Sequence, residues 1–181
     1  MADGICKKLI VRHPHVFGNI EAADTEQVLK NWDAIKRETK GEGTTHADLL
    51  RNVPRALPAL MRAAKVQGRA KRAGLDLLPD VSEAMEALDG EIFELKETVE
   101  IGIQDLIEEA FGDLLFAAVN VSRFLKIDAE QALTAATDKF IRRFDGMEKL
   151  AAERGIVMEN APPSKLDELW EYIKCEDCKN N

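Results

Sequence analysis

Glu91-Ile92-Phe93-Glu94 and Glu108-Glu109-Ala110-Phe111-Gly112-Asp113-Leu114-Leu115-Phe116 are the two stretches on which the reading of this chain turns. Both mix carboxylates with apolar residues at helical spacing. Glutamates three residues apart lie on one face of a helix. Two such helices packed face to face gather carboxylates into a nest. Like charges held together are strained unless a hard cation joins them. Two readings stand side by side here: a Mg²⁺ site that receives a phosphate-bearing substrate, or two acidic faces in solvent.

The pattern continues as helix in both directions. Upstream, Pro79-Asp80 opens a helix that carries Glu91 and Glu94 and runs to about residue 99. Gly102 separates it from a long helix over 103–125, whose apolar stripe is Leu106, Ile107, Phe111, Leu114, Leu115, Ala118 and Val119. Asp128 caps a further helix that ends near Gly155, and Ser164 caps a last one bearing Leu166, Leu169, Trp170 and Ile173. Before Pro79, a basic helix with Met61, Arg62, Lys65, Arg69 and Arg72 follows Pro54 and Pro58 and is stopped by Gly74. Earlier still, Val28, Leu29, Trp32 and Ile35 form a stripe over 25–39, started by Asp24 or Thr25. Residues 40–45, Lys-Gly-Glu-Gly-Thr-Thr, read as a linker. The fold class is all-α.

Composition narrows the function. A formal net charge of −8 argues against a nucleic acid polymer or an anionic membrane as partner. It does not oppose a small phosphate ligand, because a metal and a few local bases offset the field. No apolar run has the length of a membrane span, and Met1-Ala2-Asp3-Gly4-Ile5-Cys6 lacks the layout of a signal peptide. A cytoplasmic location is expected. Cys6, Cys175 and Cys178 are too few and too uneven for a disulfide framework, and Cys175-Glu176-Asp177-Cys178 is half of a zinc motif at most. His13-Pro14-His15 reads as a turn and His46 as a solvated loop residue.

Several side chains could carry chemistry. Asp113 and Asn120 are seven residues apart and share a helix face with Ala110 and Ala117. A carboxylate among apolar neighbours is costly unless it is paired, so Asp113 is either functional or at the wet edge of the stripe. Lys139 and Arg143 share a face, with Arg142 beside them. They suit phosphates held next to a metal, or a solvated basic face. Trp170 either stacks a nucleobase or plugs the core.

Gly112-Asp113-Leu114-Leu115-Phe116, then Asn120 and Arg123, then Lys139-Phe140-Ile141-Arg142-Arg143-Phe144, resemble the MazG family of nucleoside triphosphate pyrophosphohydrolases. Arg12-His13-Pro14-His15-Val16-Phe17 and Pro54-Arg55-Ala56-Leu57-Pro58-Ala59-Leu60 are similar to the two-domain bacterial members. The resemblance implies a dimeric, all-α MazG-like bundle. It implies a Mg²⁺ enzyme, with Mn²⁺ as the alternative ion, that splits a nucleoside triphosphate into the monophosphate and pyrophosphate. The family's metal motif is EExxE followed by ExxD. By resemblance, Glu91, Glu94 and Asp113 are the catalytic metal ligands, Lys139 and Arg143 hold phosphates, Asn120 supports the site, and Trp170 contacts the base. Residues 1–50 then correspond to a helical remnant of a preceding domain plus a linker, and 51–181 to the pyrophosphohydrolase domain.

The departures from the pattern are specific. Gly90 stands at the first motif glutamate and Ala110 at the ExxD glutamate. Glu109 is one residue off, about 40° around the helix from Asp113. Gly74-Leu75-Asp76-Leu77 replaces an aromatic-bearing segment, and the family's first domain is not represented; a fragment, an altered chain and a natural remnant all fit. Two function classes follow: a Mg²⁺-dependent pyrophosphohydrolase impaired by Ala110, or a non-catalytic nucleotide-binding or regulatory module. A helical interaction protein with no ligand is a third.

Overall fold

The computed structural model describes residues 45–76 and 78–179, together with 6–7, 9–10, 14–17, 28 and 35. Among them all regular structure is helical. The predicted helix over 25–39 and the linker over 40–44 lie outside the described residues, apart from the helical Val28 and Ile35. The chain divides into two compact units, Met1–Lys126 and Ile127–Asn181.

In the first unit, α1 spans His46–Arg51. The linker reading of Thr45 is corrected here: Thr45 is the N-cap of α1, and His46 is its exposed first residue rather than a loop residue. Thr45 Oγ1 accepts from Asp48 N at 3.2 Å, while Thr45 N donates to Asp48 Oδ2 at 3.0 Å. That reciprocal capping box stabilises so short a helix. The bond from the Thr45 backbone is also the main cause holding the Asp48 carboxyl below the usual carboxylate range. Pro14–Phe17 forms a single helical turn where the sequence suggested a non-helical turn. Proline is tolerated at a first helical position, because its missing N–H would have no partner there.

Helix α2, Ala59–Arg72, has Pro58 at its N-cap and Arg69, Lys71 and Arg72 in its last turn, where cations complement the helix dipole. Gly74, at φ +102°, supplies the positive dihedral that turns the chain away. Arg69 donates from Nη1 to the Leu49 carbonyl and so ties α2 to α1. Helix α3, Val81–Ile101, begins on Asp80, whose side chain accepts from Ser82 N and Glu83 N at 2.8 and 3.1 Å. It ends on Gly102 at φ +75°. Helix α4, Gln104–Phe124, follows after only Gly102 and Ile103. So short a connection makes α3 and α4 antiparallel neighbours, and α2 packs on α4.

The buried residues of this unit are Leu49, Val53, Ala84, Ala110, Val119 and Val121, with Gln67 and Thr98 among them. The expected stripe of α4 is corrected in part. Val119 is buried, and Ile107 and Leu114 are half-buried, but Leu106, Phe111 and Leu115 are exposed. Apolar residues lie all around α4, and its neighbours within the unit cover one side. The small Ala110 lies on the covered side, which lets helices approach closely. The bulky residues are left outside.

In the second unit, α5 spans Ala129–Glu153 and α6 spans Pro163–Lys179, with one 3₁₀ turn at Met158–Asn160 between them. Asp128 caps α5 as expected, accepting from Glu130 N and Gln131 N at 3.0 and 3.1 Å. Pro163 takes the first position of α6, so Ser164 lies one residue inside the helix instead of capping it. The core is Met147, Ala151 and Leu169, with Leu150, Ile156, Met158, Leu166, Trp170 and Ile173 packed around it.

Candidate active site

A cavity of about 460 Å³ opens within the first unit. That is inside the usual range for small-molecule sites. Leu50 of α1, Val66 of α2, Phe116 of α4, and Leu75 and Leu78 between α2 and α3 give it apolar walls. Six side chains bring polar groups to it: Gln67, Asp76, Glu91, Asp113, Asn120 and Arg123.

Three of these form a network. Arg123 Nε donates to Asn120 Oδ1 at 3.0 Å, and Arg123 Nη2 lies 3.4 Å from Asp76 Oδ1. Lys71 Nζ lies 3.2 Å from Asp76 Oδ2. Asp76 thus anchors the segment after α2 to α4, and Arg123 fixes the orientation of the Asn120 amide. The guanidinium of Arg123 also stands 4.3 Å from the centre of the Phe124 ring. Gln67 is only 8% exposed. Its Nε2 donates to the Phe116 carbonyl at 2.8 Å, and its Oε1 is buried without a partner.

The structure brings together Glu91, half-buried on α3, with Asp113 and Asn120 on α4. Neither carboxylate forms an ion pair among the described residues. Glu94 is exposed on α3 and does not line the cavity. Lys139, Arg143 and Trp170 belong to the second unit. There Arg143 Nε donates to Asp177 Oδ2 at 2.8 Å, with Arg142 Nη2 at 3.5 Å from the same oxygen. The Arg143 bond is the leading cause that holds the Asp177 carboxyl below its usual range. Trp170 lies against Phe140, ring centres 5.2 Å apart, and packs on the Leu169 core. Lys139 is exposed.

A resident metal needs more than this cavity offers. Among the described residues no three His, Cys, Asp or Glu side chains come together as a metal-binding group. Ala110 is 2% exposed and supplies no oxygen. Gly90 supplies none either, although a Cβ built there would meet nothing within 4 Å. Glu91 and Asp113 alone match a different demand. Mg²⁺ commonly binds through one or two carboxylates and keeps waters or substrate phosphates on its other positions. The pair fits an ion delivered with phosphates better than one held by the protein alone.

Sequence reasoning missed Gln67 and Asp76, and met Arg123 only through the family resemblance. The available signal for Gln67 was its place between Ala63 and Ala70 on one face of α2. A polar side chain in a row of small apolar ones faces the interior. Asp76 carried no such signal, because its partners Lys71 and Arg123 are joined only by the fold.

Comparison with known proteins gives this geometry a context. Residues 80–147 match the model of the MazG nucleotide pyrophosphohydrolase domain. The chain is 40% identical over 176 residues to the nucleoside triphosphate pyrophosphohydrolase of Escherichia coli K12, covering 96% of this chain and 66% of that protein. It is 41% identical over 171 residues to the nucleoside triphosphate pyrophosphohydrolase/pyrophosphatase MazG of Thermotoga maritima, covering 94% of this chain and 63% of that one. A third relative, YabN of Bacillus subtilis, is 42% identical over 171 residues, 35% of its length. The chain therefore spans about two thirds or less of the relatives it matches.

Proposed function

We propose that this protein is a MazG-type enzyme that hydrolyses nucleoside triphosphates to the monophosphate and pyrophosphate, a reading supported by the match of residues 80–147 to the model of the MazG nucleotide pyrophosphohydrolase domain. The observation that carries this reading is one cavity that pairs Glu91 and Asp113 with apolar walls. The walls suit the faces of a base and a sugar. The carboxylates suit a cation that accompanies the phosphates. Mg²⁺ or Mn²⁺, when bound, would offset phosphate charge and polarise the α-phosphoryl group. Asn120, held by Arg123, positions the ligand beside the carboxylates. Water forms the new bond to the α-phosphorus, and pyrophosphate leaves. Glu94 joins the site only after a change of side-chain direction. Lys139 and Arg143 keep the phosphate-holding role that the resemblance implies, with Arg143 exchanging Asp177 for phosphate. Trp170 keeps a base-contacting role in this proposal only if it leaves the core.

The activity is expected to be weak, because Gly90 and Ala110 remove two motif carboxylates. A homodimer is part of the proposal. Phe93, Val99, Ile101, Ile103, Phe111 and Leu115 of the first unit are all exposed. So many exposed large apolar side chains on two neighbouring helices support an interface with a second copy. The alternative, a non-catalytic nucleotide-binding module, is favoured by one observation: no oxygen donor at position 110.

Calorimetry and a pyrophosphate-release assay test the proposal together. Mg²⁺ alone should bind weakly, and Mg²⁺ with a nucleoside triphosphate should bind and turn over. Binding of a non-hydrolysable triphosphate without turnover of the natural one would select the module. No binding of either would refute both.

A further inference from the structure

The cavity runs along one face of α4. Asp113, Phe116, Ala117, Asn120 and Arg123 line it at helical spacing. The helix rises about 15 Å from Asp113 to Arg123 and about 10 Å from Asp113 to Asn120. Glu91 and Asp113 lie about equally far from the Gly102–Ile103 link, one on each arm of the α3–α4 hairpin, and so mark one end together. Ala87 and Ala117, small and apolar, mark the middle. The far end is polar again, with Asn120, Arg123 and Asp76. That end is rich in donors. Arg123 Nε donates to Asn120 Oδ1 at 3.0 Å, and Nη2 faces Asp76 Oδ1 at 3.4 Å. A guanidinium only donates, so the first bond fixes the Asn120 amide with Oδ1 toward Arg123 and Nδ2 as the free end. Neither Asn120 Nδ2 nor Arg123 Nη1 donates to a described residue. Both are accessible: among the described residues, the buried side-chain nitrogen or oxygen left without a partner is Gln67 Oε1. The Arg123 and Asp76 side chains are 21% and 36% exposed. Both Asp76 oxygens already face cations, Oδ1 Arg123 and Oδ2 Lys71, so the far end presents N–H groups. The Asp76 carboxylate offsets one of the two positive charges there, which suits a neutral acceptor better than a phosphate.

We propose that Asn120 and Arg123 read the base, their free N–H groups donating to a ring carbonyl, so that the cavity prefers keto bases to amino bases. This rests on the nucleotide reading given above and adds the class of base to it. With the phosphates at Glu91 and Asp113, the nucleoside lies along α4 over the apolar middle, and the rim of its base arrives at Asn120 and Arg123. Hypoxanthine, guanine and uracil carry a carbonyl on that rim. Adenine and cytosine carry an amine in its place. An amine there sets donor against donor and leaves the protein's N–H groups unpaired, away from water, which is the costly outcome. The ion pair with Asp76 has a part in this: it holds the guanidinium that in turn holds the amide.

The test changes the ligand before it changes the protein. Affinities of the full chain, with Mg²⁺ present, are measured by calorimetry for two pairs of triphosphates. One pair is inosine against adenosine triphosphate, in which a carbonyl stands where adenine has its amine. The other is uridine against cytidine triphosphate, which makes the same exchange on a pyrimidine. The keto member should bind about tenfold or more tightly in at least one pair, with neither pair reversed. In Asn120→Asp, of the same size but with acceptors in place of the amide donor, that preference should fall to about twofold or less or pass to the amino member, while thermal melting reports that the variant is folded. Should Asn120→Asp not fold, Arg123→Lys, which keeps the charge beside Asp76 and loses the fork, should lower the preference in the same way. Binding of all four triphosphates without a keto preference overturns the inference and leaves the nucleotide reading intact. So does a preference that survives both variants, since it then arises elsewhere. If none of the four binds, the nucleotide reading itself has failed.

Discussion

In the second unit, Arg143 gives its Nε to Asp177 and Trp170 lies against Phe140 and the Leu169 core. In the first, Glu91 and Asp113 line a cavity without an ion-pair partner among the described residues, and Gln67 Oε1 has no donor. The side chains of both units looked alike in the sequence: charged or aromatic residues at helical spacing, each fit for a ligand. They differ in how much of their bonding capacity the fold already uses. Arg143 and Trp170 stabilise their own unit. Glu91 and Asp113 make no ion pair within theirs among the described residues, and that is the better sign of a site.

The contrast breaks most readily at Trp170. Trp170→Ala should cost about 3 kcal/mol of stability, as for removal of a large side chain from a core edge. Chemical denaturation followed by circular dichroism checks it. A stable variant that has lost nucleotide affinity would instead move Trp170 from the core to the site.

Asp113→Asn should do the opposite. An exposed rim carboxylate contributes little to folding, so stability should stay within about 0.5 kcal/mol. Pyrophosphate release should fall about 100-fold, the scale for losing a group that stabilises transition-state charge. If turnover and Mg²⁺–nucleotide affinity were both unchanged, Asp113 would not be a ligand.

Ala110→Glu sharpens the comparison from the other side. The residue is 2% exposed, so a glutamate there must either overpack the helix interface or reach for the cavity. Loss of about 2 kcal/mol is expected without ligand, lowering the melting temperature by about 4–8 °C. Mg²⁺ with a triphosphate should restore part of that and raise pyrophosphate release. Glu109→Ala is the control, since Glu109 is exposed and one position away. A loss of turnover in the control would mean that Glu109, not position 110, supplies the missing oxygen.

The smallest expected effect is the pH response of the second unit. The Asp177 carboxyl is held down by Arg143 first, so its protonation is harder in the folded chain than in the unfolded one. Its contribution is present above the unfolded value, about pH 4, and is lost as pH falls through the lower folded value. The denaturation midpoint of the second unit should decline below about pH 4. In Asp177→Asn that part of the decline should vanish. An identical acid profile for both proteins would mean that this ion pair adds nothing.

The fold was readable in the sequence wherever one residue type has one physical meaning. Asp80, Asp128, Gly74, Gly102 and Gly155 mark helix ends by side-chain capping or positive dihedrals, and the structure keeps all five at those ends. The short α1 was missed, because six residues show no periodicity and its capping box lies inside what reads as linker. For the site, the composition of α3 and α4 pointed to Glu91, Asp113 and Asn120, and these do share a cavity. Which face of α4 is covered was not readable, since apolar residues surround it. Nor was the state of Arg143, whose partner lies 34 positions away on another helix.

The two-residue link between α3 and α4 has a kinetic meaning as well. Only Gly102 and Ile103 join the two helices, so the hairpin has little loop-closure entropy to overcome. Topologies of such low contact order form fast, on the order of microseconds to milliseconds. Glu91 and Asp113 sit on opposite arms of that hairpin. Their approach is therefore expected early in folding, before α1 and α2 close the cavity, and folding kinetics of variants in α3 and α4 against variants in α1 and α2 would check that order.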